Sequence, residues 1–150
     1  TDNPEIKKIV KTVSKEFNTC GEGGPTVDAE LNDMYQAYSK KSAAYYVVAD
    51  KTRVLGGAGF GPLPFEKKDV CEFRKMYLLP RARGRGLGEL LMRKCIQQAK
   101  ESGYRKMYLE TVDRMIQAVA LYKKFGASEV AEPLGQTGHC QCEKKMVIYL

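Results

Sequence analysis

Apolar residues recur at the spacing of an α-helix in four segments of the chain. In the first segment Ile6, Ile9 and Val13 share one face, with lysines between them. Asp28 precedes the second segment at the position of an N-cap, and Gly126 follows the fourth, where a helix commonly ends. The pattern predicts helices over residues 4–17, 28–39, 87–102 and 115–125.

β-Favouring runs lie between and after these helices, bounded by polar or glycine-containing turns. The strands predicted from them span residues 43–49, 54–62, 70–79, 105–111, 127–131 and 145–150. Strands that alternate with helices in this way are typical of an α/β domain. A length of 150 residues without a repeat or a linker predicts one domain over residues 1–150.

The run from Tyr77 to Gly88 combines the end of a strand, a turn of arginine and glycine, and the start of a helix. The first N–H groups of a helix lack partners within it, and the helix dipole adds partial positive charge there. Gly84, Gly86 and Gly88 have no Cβ, which lets a ligand come close to the backbone. The run matches neither the P-loop nor the dinucleotide-binding fingerprint. It predicts a site for a phosphorylated small molecule or cofactor, to which three side chains add positive charge: Arg81, Arg83 and Arg85.

Positive charge is concentrated in the same part of the chain. Eight basic and two acidic residues lie between Arg81 and Lys106, which accounts for six of the seven net positive charges. The charge is explained either by a solvated helix face or by a field that attracts a polyanion. Coenzyme A is a sufficient polyanion, and nucleic acid is the less favoured partner because no nucleic-acid-binding motif accompanies the charge.

Hydropathy and cysteine usage limit the kind of protein further. No apolar run approaches membrane-spanning length and no secretory signal is recognisable, so a cytoplasmic protein that does not enter a membrane is expected. Of the five cysteines, Cys71 and Cys95 fall in apolar patterns and are expected to be reduced core residues. The His-Cys-Gln-Cys cluster at 139–142 looks like a metal site, but no second ligand pair stands at zinc spacing, and no metal is expected.

Two separated motifs resemble the GNAT family of N-acetyltransferases. The spacing Arg83-x-x-Gly86-x-Gly88 is similar to the family's acyl-CoA-binding motif. Residues 118–126 read Ala-Val-Ala-Leu-Tyr-Lys-Lys-Phe-Gly, which is similar to the family's Ala-x-x-Leu-Tyr-x-x-x-Gly-Phe signature. A third stretch, Thr-Gly-His-x-x-Cys at 137–142, resembles a segment near the C-terminus of one subgroup.

The resemblance implies a three-layer α-β-α GNAT fold. Its central sheet is expected to be mixed, mostly antiparallel, and splayed apart at the cofactor site between the strands at 70–79 and 105–111. The family's usual first strand would lie before Thr1. The match departs from the family at Met115, where many members have an Asn that binds the pantetheine arm, and at Ala127, where Phe is usual.

The resemblance also implies acetyl-CoA as the cosubstrate. Its pantetheine arm is expected in the gap between the splayed strands, along the edge at Tyr77, Leu78 and Leu79, with the Leu78 N–H contacting the oxyanion. Backbone N–H groups are expected to hold the pyrophosphate, from Arg83, Gly84, Arg85, Gly86, Leu87 and Gly88.

Glu72 and Tyr122 are the candidate catalytic residues. Acetyl transfer needs a neutral amine, although a lysine-type amine has a pKa of about 10.4 in water, and it needs a stabilised leaving thiolate. Glu72 lies 11 residues before Arg83, the spacing at which histone acetyltransferases of the family carry their catalytic Glu. The alternative for Glu72 is an ion-paired strand residue beside Arg74 and Lys75. Tyr122 is the candidate acid for the thiolate and a cofactor contact, with core packing as its alternative.

The resemblance leads to a predicted reaction without naming its acceptor. The chain is expected to transfer an acetyl group from acetyl-CoA to a primary amine of a small molecule or peptide, by direct attack in a ternary complex. Loops at 56–65 and 132–142 are expected to shape the acceptor pocket. His139, the single histidine, has a pKa suited to a base, but a substrate contact or no role at all is favoured for it. A CoA-binding regulatory module without turnover and a nucleic-acid-binding protein are the alternatives, and a homodimer is compatible with the family.

Overall fold

The computed structural model describes residues 2–51, 53–139 and 142–150. Its strands are β1 (Ala44–Asp50), β2 (Arg53–Pro62), β3 (Val70–Leu78), β4 (Lys106–Thr111), β5 (Ser128–Glu129) and β6 (Lys144–Tyr149). They form one sheet in the order β1-β2-β3-β4-β6-β5, in which β3 and β4 are the one parallel pair among the described strands. The predicted mixed, mostly antiparallel sheet is confirmed, although β5 is shorter than the strand predicted over 127–131.

Helices cover both faces of the sheet. They are α1 (Asn3–Glu16), α2 (Met34–Ala37), α3 (Leu87–Glu101) and α4 (Ile116–Lys124). The apolar stripe of α1, including Val10, packs on one face. On the other face Met92 and Cys95 of α3 and Tyr122 of α4 meet sheet residues such as Phe73. This confirms the three-layer α-β-α architecture. Among the described helices, none has the length and apolarity needed to cross a membrane.

The helix predicted over residues 28–39 is wrong. Residues 25–37 instead form two 3₁₀ turns, Pro25–Val27 and Ala29–Asn32, followed by the single-turn helix α2. Asp28 has an extended backbone and makes no side-chain cap, whereas Asp33 caps α2 by accepting the Gln36 N–H at 3.0 Å. Tyr35, which lies within the predicted helix, is 79% exposed. The Asp28 carboxylate instead pairs with Lys75 and lies 3.2 Å from His139 Nε2.

The predicted splay of the central strands is present. β3 and β4 pair at three positions, from Val70 opposite Lys106 to Glu72 opposite Tyr108, and no pairing of the described residues continues beyond them. On its other side β3 carries a bulge against β2, with Lys75 at a φ of 51°. A bulge inserts one residue and redirects the strand, so the second half of β3 leaves β4 and opens a gap.

One tyrosine holds this bulge in place. The ring of Tyr45 lies across β2, where a Cβ on Gly57 or Gly59 would come within 2.6 Å of ring atoms. Only glycine permits this close approach, which explains Gly57 and Gly59 in β2. The Tyr45 hydroxyl donates to the Lys75 carbonyl oxygen at 2.9 Å. The hairpin of β1 and β2 therefore positions the point at which β3 turns away.

Candidate active site

A cavity with a volume of about 550 Å³ lies beside the glycine-rich loop. Its walls are the end of α1, the outer part of β3, the loop with the start of α3, and the start of α4. In the same order, these four walls include Phe17, Leu78, Gly86 and Gln117. A cavity that opens on a helix N-terminus can take an anionic ligand.

The glycines of the loop have the geometry that an anion cradle needs. Gly84 and Gly86 have φ of 68° and 74°, a left-handed conformation that glycine adopts without strain, and a Cβ on either would meet open space. Gly86 is the N-cap of the 15-residue helix α3, so the first N–H groups of that helix are free of intrahelical partners. A Cβ on Gly88 would lie 3.3 Å from the side chain of Leu121. The loop therefore fits a phosphate held by backbone N–H groups.

Arg83, one of the predicted cofactor contacts, is bonded to other residues of the protein. Its Nη1 and Nη2 bind the Glu16 carboxylate at 2.6 and 2.8 Å, its Nε donates to the Leu78 carbonyl oxygen at 3.0 Å, and its guanidinium stacks on the Phe17 ring at 5.4 Å. Its backbone N–H donates to the Pro80 carbonyl oxygen at 3.1 Å. Both the guanidinium and the backbone N–H of Arg83 therefore have partners within the protein.

Removing this arginine tests its structural role. Arg83→Ala deletes a bidentate ion pair and a charged hydrogen bond, so we expect the free energy of unfolding to fall by about 1–2 kcal/mol. Amide hydrogen exchange should accelerate at the end of α1, because Glu16 and Phe17 lose their contact with the loop. Arg85→Ala, at an exposed position of the same loop, is the matched control. Equal stability and exchange in the two variants would contradict this role.

Of the three predicted edge residues, one offers its backbone to the gap. Leu79 N–H donates to the Leu55 carbonyl oxygen at 2.9 Å, and antiparallel pairs alternate in hydrogen bonding along a ladder. The N–H of Leu78 therefore points away from β2, on the side where β3 and β4 separate. Tyr77 contributes its side chain to the gap, and Leu79 is bonded within the sheet.

A second cavity, of about 60 Å³, continues from the first into the gap. The two cavities share Met76 and Met115 as walls and are therefore adjacent. Tyr122, the predicted acid, lines the small cavity, and its ring packs edge-on against Phe73 at 6.0 Å. Burial raises the pKa of Tyr122 well above its usual range, so the phenol stays protonated.

A buried charge cluster adjoins the small cavity on the α1 side of the sheet. Lys75, only 2% exposed at its side chain, pairs with Asp28 and with Glu30, the latter at 2.5 Å. Arg74 binds the Pro62 carbonyl oxygen at 2.6 Å and also pairs with a carboxylate of its own strand. The cluster consists of Asp28, Glu30, Glu72, Arg74, Lys75, Glu110 and His139.

Glu72, the predicted base, is ion-paired within this cluster. Its Oε2 accepts from Arg74 Nε at 2.6 Å, and its side chain is 6% exposed. Burial raises the pKa of Glu72, and the Arg74 charge opposes that rise. Glu72 is not among the described residues that line the two cavities. The predicted base is therefore held in a salt bridge and lines neither of the two cavities.

Glu110 is the residue that sequence reasoning missed. It lines the small cavity together with Tyr122, and its side chain is 5% exposed. Its Oε1 accepts from the Tyr108 hydroxyl at 2.6 Å and its Oε2 from the Thr137 hydroxyl at 2.7 Å. Within the described ranges, no lysine or arginine pairs with it. Its position at the carboxyl end of a parallel strand, where α/β sheets bind ligands, was the available signal.

The Thr-Gly-His-x-x-Cys stretch brings a histidine into the cluster. Thr137 accepts the His139 N–H at 3.2 Å, and Gly138 between them has a φ of 80°. Burial lowers the pKa of His139, but the hydrogen bond and charge of Asp28 outweigh it, and the net pKa lies above its usual value. Cys142 lines the small cavity, where burial raises the pKa of its thiol to about 12. The remainder of the predicted cluster, Cys140 and Gln141, lies outside the described residues.

The sequence is similar to those of known acetyltransferases. The model of the acetyltransferase (GNAT) family matches residues 10–127. The uncharacterised N-acetyltransferase YjgM of Escherichia coli is 41% identical over 147 residues, covering 97% of this chain and 88% of the relative. The uncharacterised N-acetyltransferase C1271.07c of Schizosaccharomyces pombe is 35% identical over 125 residues, covering 83% and 76%.

Solved structures show the same fold. A GNAT-family acetyltransferase of Staphylococcus aureus superposes with a TM-score of 0.85 at 20% identity, over 99% of this chain and 93% of that one. The putative acetyltransferase YncA of Salmonella typhimurium, solved with acetyl-CoA, superposes with a TM-score of 0.73 at 20% identity, over 100% and 91%. The glycine-rich cavity and the splayed strands of this chain are consistent with the family match and with the shared fold. The chain belongs to the acetyltransferase (GNAT) family, and it is an N-acetyltransferase that uses acetyl-CoA.

Proposed function

We propose that this enzyme acetylates a primary amine of a small molecule or peptide by direct attack within one ternary complex. The observation that carries the proposal is the small cavity, in which the protonated phenol of Tyr122 and the carboxylate of Glu110 face one space. The cavity adjoins the glycine-rich site, so an acetyl donor and an amine can meet there.

Acetyl-CoA fits the large cavity by its chemistry. The left-handed glycines leave the backbone of the loop open, and the start of α3 offers N–H groups to a pyrophosphate. The residues that would hold it are Gly84 to Gly88, and the Leu78 N–H faces the gap where the acetyl carbonyl is needed. The cosubstrate supplies an acetyl thioester. The acetyl-CoA found with the Salmonella relative supports this assignment.

The acceptor arrives as an ammonium ion and must lose a proton before it attacks. Glu110 is the carboxylate best placed to take it, because it lines the cavity and its two oxygens are held by neutral hydroxyls. Glu72 remains a second candidate that would act through an intervening water. On the opposite side of the reaction, Tyr122 donates a proton to the departing thiolate.

The thiol in the small cavity supports direct attack. Cys142 is the side chain there that could carry an acetyl group between donor and acceptor. Nucleophilic cysteines react as thiolates, and burial raises the pKa of Cys142 to about 12. The thiol is therefore a poor nucleophile at neutral pH, which favours transfer from the thioester straight to the amine.

Calorimetry and a turnover assay test the proposal together. Acetyl-CoA is titrated into the protein, and CoA thiol release is then followed with a panel of L-amino acids, alkyl diamines and a lysine-containing peptide. We expect binding, and thiol release that depends on one class of amine. Binding without turnover on any amine would favour a CoA-dependent regulator, and no binding would contradict the proposal. Competition of CoA with duplex DNA tests the nucleic-acid alternative.

A further inference from the structure

We propose that His139 is a positioning residue that carries the acceptor's proton from Glu110 to solvent, with its ring oriented by Asp28. The inference rests on the proposed role of Glu110 as the base. It assigns a role to the histidine of the Thr-Gly-His-x-x-Cys stretch, which takes no part in the proposed acetyl transfer itself.

The geometry places the imidazole between two carboxylates of different exposure. His139 Nε2 lies 3.2 and 3.3 Å from the two oxygens of Asp28, so this nitrogen carries the hydrogen that Asp28 accepts. Nδ1 then has its lone pair toward Glu110 Oε2 at 3.7 Å. That separation is longer than a direct hydrogen bond, and catalytic contacts of this kind tighten or take up a bridging water during turnover.

The position of the loop makes this geometry specific. The Thr137 hydroxyl binds the same Glu110 oxygen that faces Nδ1, at 2.7 Å, and it also accepts the His139 N–H. Thr137 thus fixes the carboxylate and the histidine relative to each other. A histidine that merely filled space would not require its neighbour to hold the cavity carboxylate.

Burial makes a relay necessary. The Glu110 side chain is 5% exposed, so once protonated it lies almost out of reach of bulk water. The side chains of His139 and Asp28 are 18% and 19% exposed and reach solvent at the edge of the cluster. A proton taken in the cavity therefore has a path outward through the imidazole.

The proton balance is as follows. An acceptor N–H bond breaks and a Glu110 O–H bond forms; that O–H bond then breaks as His139 Nδ1 gains the proton. Glu110 is then a carboxylate again. An N–H bond of the resulting imidazolium breaks as one proton passes to solvent, which restores the neutral ring. The second proton that the amine gives up reaches the thiolate through Tyr122. One proton is released for each ammonium acetylated.

The charged groups that face the ring are Asp28 from the 3₁₀ segment, Glu72 and Lys75 from β3, and Glu110 from β4. Asp28 and Glu72 raise the pKa of His139, and burial and the Lys75 charge oppose them. Glu110 Oε2 lies 3.7 Å from Nδ1, where a negative charge also favours the imidazolium. Only the neutral ring accepts a proton, so kcat should rise with pH through the pKa of His139. That pKa should lie above 6.5, the value from which the cluster raises it.

The chain has one histidine, so its imidazole can be titrated directly by NMR in protein free of a histidine tag. We expect Glu110→Gln and Asp28→Asn each to move this titration to lower pH, by about one pH unit for the loss of a neighbouring carboxylate. Glu143→Gln, on an exposed residue outside the cluster, is the control and should leave it unchanged. An unmoved titration in Glu110→Gln would overturn the proposed coupling.

Turnover completes the test. With the best amine of the panel, His139→Asn should lower kcat at least about tenfold and leave both KM values within about twofold, and added imidazole should restore part of the rate. In Asp28→Asn, the pH range over which kcat rises should shift to lower pH by the same amount as the NMR titration of His139. Unchanged kcat in His139→Asn, or a loss that imidazole does not restore, would overturn the relay. If Glu110→Gln is inactive while His139→Asn is fully active, the proposed function stands and the relay fails.

Discussion

Replacing Glu110 with Gln is expected to lower kcat by about 10²- to 10⁴-fold, the usual contribution of a general base. The amide oxygen can still accept from one of the two hydroxyls, Tyr108 or Thr137, and the amide NH2 can donate to the oxygen of the other, so the fold of the cavity and the affinity for acetyl-CoA should change little. Thiol release under saturating acetyl-CoA measures kcat, and calorimetry measures the affinity. A variant with wild-type kcat would exclude Glu110 as the base.

Glu72→Gln is the control that separates the two candidate bases. Because Glu72 is the nearer carboxylate partner of Arg74 at 2.6 Å, its amide would leave the guanidinium with only the Glu30 carboxylate at 3.7 Å. Breaking a buried ion pair in this way costs about 3–5 kcal/mol of unfolding free energy. We therefore expect Glu72→Gln to unfold more easily and Glu110→Gln to keep its stability. A stable but inactive Glu72→Gln would instead return the base to Glu72.

Tyr122→Phe is expected to lower kcat by about 100-fold while acetyl-CoA affinity stays within about twofold. The substitution removes only the hydroxyl, which is the proposed proton donor to the thiolate, and keeps the ring that packs against Phe73. The melting temperature should therefore change little. Turnover and calorimetry on the same preparation check this. Undiminished turnover would show that the phenol serves packing alone, and CoA binding without turnover in the parent chain would point to a regulator.

The parts of the fold that sequence reasoning predicted correctly depend on local chemistry. The glycine-rich turn before α3 is encoded by residues adjacent in the chain, and its left-handed glycines follow from their own conformational freedom. The apolar stripes of α1 and α3 are likewise local, and so is the strand that feeds the loop. These elements were predicted with their bounds correct to within a few residues.

The errors arose where distant contacts override local preference. Asp28 has the residue type of a helix N-cap, but its carboxylate binds Lys75 and His139, which lie 47 and 111 residues away. A charge pair inside the protein outweighs a cap worth about 1 kcal/mol. The Arg83 guanidinium also has a distant partner, Glu16, which lies 67 residues away. No pattern within a window of the sequence contains these partners.

The assembly of the acceptor side from distant segments has a consequence for how such enzymes diverge. The cosubstrate side is built from the backbone of one continuous loop, which most side-chain substitutions leave intact. The proposed acceptor side depends on side chains from the 3₁₀ segment and the loop before β6, which meet on the central sheet. New amine preferences can therefore evolve through changes in two loops, while the donor remains the same.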